Sequence, residues 1–249
     1  MAEVEWHKRR TTAGGCWGEI VLNRPERKNA ITGPLGIHLT AALSELGSDQ
    51  EVQAILLRGA GAAFCSGLDL KAFNADPAPE WLQDFQSLWR ATHLALFNCD
   101  VPVIGALERY AINGGAALAF ACDYLIVGEQ AFVQVGEVQI GMAAPYNLAW
   151  LNLRHNEAVV AELALIGDRA SSSDMLRLGL ANQSVPDDQV VAIATDLCER
   201  MADFPTGAPR NLKQVLRARL QETPEDWFDR HKAAAIPLGK PRAMTTSTR

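Results

Sequence analysis

Apolar positions along the chain follow two rhythms. In the first half, short unbroken apolar runs alternate with stretches of helical period; in the second half only the helical period remains. A strand is expected at 19–22, then a turn rich in Asn, Arg and Pro through Asn29, then a helix at 34–46 with Pro at its start and Gly47 beyond its end. The run AILLR at 54–58 reads as a buried strand leading into the glycine-containing loop GAGAAFCSGLDL. Trp81, Leu82, Phe85, Leu88, Trp89 and Leu96 are spaced for an amphipathic helix over 80–97, and a strand follows at 103–107. The segment 114–122 is small and apolar throughout, so a helix there is buried on all sides. Short strands are expected at 124–127 and near Phe132, then helices at 147–154, 157–166, 173–178, 187–201 and 210–220. Strands alternating with helices, then helices alone, predict an α/β core with a helical C-terminal extension. The tail 243–249, AMTTSTR, reads as loosely ordered.

Composition narrows the partners. The chain has 249 residues, 48% hydrophobic and 21% charged, enough for a packed core. A net charge of -6 leaves no general basic surface for nucleic acid or an anionic membrane, although a local basic patch still allows a small phosphorylated ligand. The charged start MAEVEWHKRR lacks the apolar stretch of a secretory signal. Cys16, Cys65, Cys99, Cys122 and Cys198 are odd in number and form no C-x-x-C pair, so neither a disulfide framework nor a metal site is expected. A cytoplasmic location follows as an expectation.

Two glycine-bearing corners, each where a strand gives way to a helix, are the candidate chemistry. In Cys65-Ser66-Gly67-Leu68-Asp69-Leu70, Gly67 permits a tight turn that leaves the Leu68 N–H pointing into open space. In Asn113-Gly114-Gly115, the N–H groups carry the positive end of a helix dipole. Two such donors converging on one oxygen make an oxyanion hole. Cys65 beside Ser66 suggests covalent catalysis only weakly, because no histidine is near in sequence. His7, His38, His93, His155 and His231 are read as structural or exposed.

Together LNRPERKNAI, AFCSGLDL, AINGGAALAFACDYLIV and LIGDRASSSDMLRLGLANQSVP resemble, in order and spacing, the signature stretches of the crotonase (enoyl-CoA hydratase/isomerase) family. The resemblance implies a spiral of ββα repeats over 1–186 carrying an acyl-CoA site, and a helical region over 187–249 that assembles trimers, often paired as hexamers. It implies that the backbone N–H groups of Leu68 and Gly114 form the oxyanion hole. It also implies that CoA, entering as substrate and not as a cofactor, meets the segments containing Arg24, Arg27, Lys28, Ser66, Leu68, Asp69, Leu70 and Lys71, with the basic residues facing its phosphates.

Family hydratases use two glutamates. Counted from Asp123, the first of these positions holds Ala117, whereas the second holds Glu137 in VGEVQIGMAAP. Losing one carboxylate weakens a hydratase reading, because water addition is easiest with one group to activate water and another to handle the proton. A proton shift needs one base. SGLDL, Ala117 and GEVQIGMAAP resemble most the mitochondrial type of 3,2-enoyl-CoA isomerase, so Glu137 is the expected base. The alternatives are a hydratase with an atypical second site, and a non-catalytic acyl-CoA-binding member. A dehalogenase is disfavoured because 141–150 holds no carboxylate nucleophile.

Overall fold

The computed structural model describes residues 2–235, so the expected loose tail at 243–249 lies outside the described residues. In chain order the elements are β1 (Val4–Arg10), β2 (Cys16–Leu22), α1 (Gly33–Ser48), β3 (Val52–Gly59), α2 (Leu70–Phe73) and α3 (Phe85–Asn98). They continue with β4 (Val103–Leu107), β5 (Tyr110–Ile112), α4 (Gly114–Ala121), β6 (Tyr124–Gly128), β7 (Phe132–Gln134), α5 (Pro145–Arg154) and α6 (Glu157–Ala164). The rest are β8 (Arg169–Ser171), α7 (Ser172–Arg177), β9 (Gln183–Val185), α8 (Val190–Ala202), α9 (Ala208–Arg217) and α10 (Pro224–Ala234).

The strands form a six-stranded sheet, ordered β1-β2-β3-β4-β6-β9, and a three-stranded sheet, ordered β5-β7-β8. From β2 to β9 the large sheet is parallel, and β5 runs parallel to β7. Thus β4, β5 and α4 make one turn, with one strand in each sheet and then a helix, and β6, β7 and α5 make the next. Earlier turns follow the same course with single bridges in place of a second strand: Ile31 pairs with Leu68, and Cys65 with Ala111. This is a spiral of ββα units.

The parallel strands β2, β3, β4 and β6 are buried on both faces, as parallel sheets are. Ile55, Leu57, Val103, Leu107, Leu125 and Val127 face the main core, which includes α1, α3 and α4. Their alternate neighbours Ala54, Leu56, Ile104, Ala106 and Ile126 face Val190, Ala194, Cys198 and Ala202 of α8, four residues spaced one turn apart. Residues 190–202 therefore complete the core on this face, and α10 adds Phe228, 1% exposed, to the main core on the other.

Helix α9 is turned inside out. Arg210 and Lys213 are buried, while Leu212, Val215 and Leu216 are each about two-thirds exposed. Arg210 donates to the carbonyls of Val52, Gly47 and Asp49. Lys213 donates to the Val101 carbonyl at 2.9 Å and pairs with Asp123 at 2.7 Å. Arg217 and Arg154 also pair with Asp123, at 2.8 and 3.4 Å, and the Val103 N–H donates to the same carboxylate at 2.8 Å. Burial pushes the Asp123 carboxyl up, but the three cations outweigh it and hold the group below its ordinary range. Asp123 thus pins α9 and α5 to the corner between α4 and β6.

Because Asp123 is held low, its contribution to stability is present above the unfolded value of about 3.8 and is lost as pH falls through the lower folded value. Asp123→Asn leaves the buried Lys213 ammonium uncompensated and is expected to lower the unfolding free energy by about 3 kcal/mol at neutral pH. Denaturant titration checks this. The gap between variant and wild type should narrow below about pH 4.

Candidate active site

Ile31, Leu68, Gly114 and Glu137 each stand where a turn of the spiral passes from strand to helix, so strand pairing between successive turns brings these junctions together. Gly67 has φ +86°, and a β-carbon there would lie 2.9 Å from the Ile112 carbonyl oxygen. Only glycine lets the loop lie so close to the end of β5. Alongside it, the Cys65 N–H donates to the Tyr110 carbonyl at 3.2 Å, and the Ile112 N–H donates to the Cys65 carbonyl at 3.1 Å. Leu68 is thereby held next to the head of α4. Among the described residues, the N–H groups of Leu68 and Gly114 donate to no other protein group. Two free donors at adjacent corners, one on a helix N-terminus, suit an oxygen that gains negative charge.

Asn113 shapes the second corner. Its backbone is left-handed at φ 52°, and its side-chain oxygen accepts the Gly136 N–H at 2.8 Å, tying the head of α4 to the next turn of the spiral. Glu137 opens a short 3-10 helix, Glu137–Ile140. It is 8% exposed; Oε1 accepts from Asn147 Nδ2 at 2.9 Å, while Oε2 has no protein partner. Burial pushes this carboxyl up to about 7, with its own N–H and Asn147 pulling partly the other way. A carboxyl balanced near neutrality can both take and return a proton. Ala117, one turn into α4, is fully buried and carries no polar group.

The remaining expected residues divide into two sets. Asp69, buried, accepts from Arg27 at 2.6 and 3.2 Å and from Arg24 at 3.0 Å, and caps α2 through the Ala72 N–H. Arg27 foremost holds it far below the usual carboxylate range, against burial. Arg24 also bonds the Ala30 carbonyl and pairs with Glu3 at 3.3 Å. Both guanidiniums thus brace the Leu68 loop, since each is already paired with protein acceptors. Lys28 and Lys71 are exposed and form no ion pair among the described residues, and Leu70 is 61% exposed. A cleft of about 800 Å³ is lined in part by Lys28, Ser66, Arg109, Tyr110, Phe132 and Arg169. Glu137 does not line it; Ser66 and Ile112, which do, flank the Gly67–Asn113 contact.

Asn147 and the side-chain role of Asn113 have no motif-level signal in the sequence. The pairing of Arg24 and Arg27 with Asp69 had one, opposite charges in two segments already brought together. Cys65 is fully buried, and burial pushes its thiol up to about 12, which leaves no thiolate at neutral pH. His93 is buried, accepts from Trp150 Nε1 at 2.9 Å and is pushed down to about 3 by burial, so it stays neutral. Among the described residues there is no cluster of metal-ligating side chains, and no helix is long and apolar enough to cross a membrane.

A profile described as enoyl-CoA hydratase/isomerase matches residues 14–233. A carnitinyl-CoA dehydratase of Proteus mirabilis (strain HI4320) is 31% identical over 220 residues, 87% of this chain and 83% of the relative. A probable enoyl-CoA hydratase of Rhizobium meliloti (strain 1021) is 31% identical, covering 84% and 80%. The crystal structure of a monofunctional enoyl-CoA isomerase from M. smegmatis is similar with a TM-score of 0.72 at 25% identity, covering 92% of this chain and 99% of that one.

A carboxyl raised from 4.5 to about 7 in the folded protein binds its proton more tightly there than when unfolded. Its effect on stability therefore runs opposite to that of Asp123: stability is highest below pH 4.5, declines towards pH 7 and is lower by about 3 kcal/mol above it. Glu137→Gln is expected to recover most of that amount at about pH 8.5 and little at about pH 4.5. Equal effects at both pH values in denaturant titrations would contradict a raised carboxyl.

Proposed function

Because the chain belongs to the enoyl-CoA hydratase/isomerase family, we propose that it takes an acyl-CoA thioester, stabilises its enolate, and moves a double bond from the 3- to the 2-position. The single observation carrying this reading is one buried carboxyl, Glu137 with Oε2 unpartnered, in a site where the second carboxylate position is Ala117. The thioester oxygen accepts from the Leu68 and Gly114 N–H groups. Glu137 removes a proton from the carbon next to the thioester, negative charge moves onto that oxygen, and the resulting dienolate is protonated two carbons further along. Preformed backbone donors need no reorganisation as charge develops, and one such donor is typically worth about a hundred- to a thousandfold in rate.

The Gly114 corner faces apolar surroundings: a β-carbon there would meet Ile31 Cδ1 at 2.9 Å and Trp89 Cζ2 at 3.7 Å. That wall suits an acyl chain. Lys28 and Lys71 are the cations left to meet the CoA phosphates, while Arg24 and Arg27 act indirectly by holding Asp69 and with it the Leu68 loop. Hydration is the second reading, favoured by the names of the hydratase and dehydratase relatives. The chain is proposed to assemble as a trimer or a pair of trimers through its C-terminal helices, supported by the outward apolar face of α9.

Two experiments test these readings. Rates with matched 3-enoyl-CoA and 2-enoyl-CoA substrates should give fast isomerisation and slow hydration for the wild type, and loss of isomerisation in Glu137→Gln with CoA binding kept. Ala117→Glu is expected to raise hydration if the buried helix accepts the added volume and charge. Fast wild-type hydration, or full isomerisation by Glu137→Gln, defeats the one-carboxylate mechanism. Light scattering at micromolar concentration should give three or six chains for the wild type and a smaller species for Val215→Asp. A monomeric wild type contradicts the assembly.

A further inference from the structure

We propose that Asn147 is the positioning residue of the proton-transfer site, locking the Glu137 carboxylate to the backbone that carries the Gly114 N–H so that Oε2 alone serves as the base. This inference rests on the reading of Glu137 as the base. Asn147 lies in the first turn of α5 and is 2% exposed. Its amide nitrogen donates to Glu137 Oε1 at 2.9 Å and to the Asn113 carbonyl at 3.1 Å, so both of its hydrogens are used. Turning the amide over would set its oxygen against two acceptors, which fixes the observed orientation.

The contacts close a ring. Asn113 Oδ1 accepts the Gly136 N–H at 2.8 Å, Gly136 is bonded to Glu137, Glu137 Oε1 accepts from Asn147, and Asn147 donates back to the Asn113 carbonyl. That carbonyl also accepts the Ala117 N–H at 3.1 Å, so it is held by the helix that begins at Gly114. Glu137 cannot shift relative to the Gly114 N–H without breaking a bond of this ring. The arrangement also separates the two carboxylate oxygens: Oε1 accepts from Asn147, and Oε2 is buried with no partner. A donor on Oε1 favours the ionised form and so opposes the burial that raises this carboxyl.

The test is the pH dependence of 3-enoyl-CoA isomerisation for wild type, Asn147→Leu, Asn147→Ala and Glu137→Gln. Leu keeps the branched shape of the side chain at somewhat greater volume, Ala removes the amide, and neither can donate. A hydrogen bond to a charged group corresponds to a shift of about one to two pH units. The rising limb of kcat should therefore move up by at least about one unit in both Asn147 variants. At pH 7, kcat should fall about tenfold, with partial recovery at about pH 9 and KM within about twofold of wild type. Should Asn147→Leu fail to fold, the limb of Asn147→Ala decides. A limb unmoved from wild type, with only thermal stability lowered, gives Asn147 a purely structural role and overturns the proposal. If Glu137→Gln retains activity, it is the base assignment that fails, whatever the Asn147 variants do.

Discussion

Parallel pairing between successive turns of the spiral is the constraint on which the site depends. Ile31 pairs with Leu68, Cys65 with Ala111, and β5 with β7, so each strand-to-helix junction is laid beside the one before. Residues far apart in sequence become neighbours because every turn has the same strand-to-helix course. The close approach of Gly67 to Ile112 is part of this register, since a side chain at that position would push the Leu68 corner off β5. A spiral built this way places a helix start and free N–H groups at the same end of each turn, where an anion is best received.

Glu137 is a local conflict that the fold sustains. Burying a carboxyl with one oxygen unpartnered costs stability, and the raised protonation equilibrium measures that cost. Asp123 is the opposite case, a half-buried carboxylate surrounded by Lys213, Arg217 and Arg154 and kept ionised. Both are largely withdrawn from solvent, yet one is compensated and the other keeps an oxygen without a protein partner. The compensated group holds α5 and α9 in place, and α5 in turn carries Asn147 to Glu137. Stabilisation at the Asp123 corner thus supports a site whose own carboxyl, the proposed base, is unfavourable to the fold.

Much of this was legible in the sequence, for identifiable reasons. The strand at 103–107 and the helix from Gly114 stand out because both are apolar and bounded by turn residues. The glycine corners and Glu137 are legible because backbone donors and a lone carboxylate need particular residues at fixed places in recognisable motifs. β1 is not legible: it is an edge strand in which only Val4 is buried, so it carries no apolar rhythm. β5, β8 and β9 are three residues each, too short for a period to register, and α10 buries only Phe228. For α9 the helix is readable but its orientation is not, because its cations face inward to Asp123 and to carbonyls. Asn147 escapes for a different reason, since an asparagine near a helix start is unremarkable until the chain brings it to Asn113 and Glu137.

On the proposed mechanism a single sheltered carboxyl takes the proton from C2 of a 3-enoyl-CoA and returns it to C4 of the resulting dienolate. Following deuterium from C2 of a 3-enoyl-CoA through one turnover in ordinary water tests it most directly. A buried base predicts that part of the label appears at C4 of the 2-enoyl product. Product whose C4 carries only solvent hydrogen, with all the released label found in water, would contradict transfer by one sheltered group.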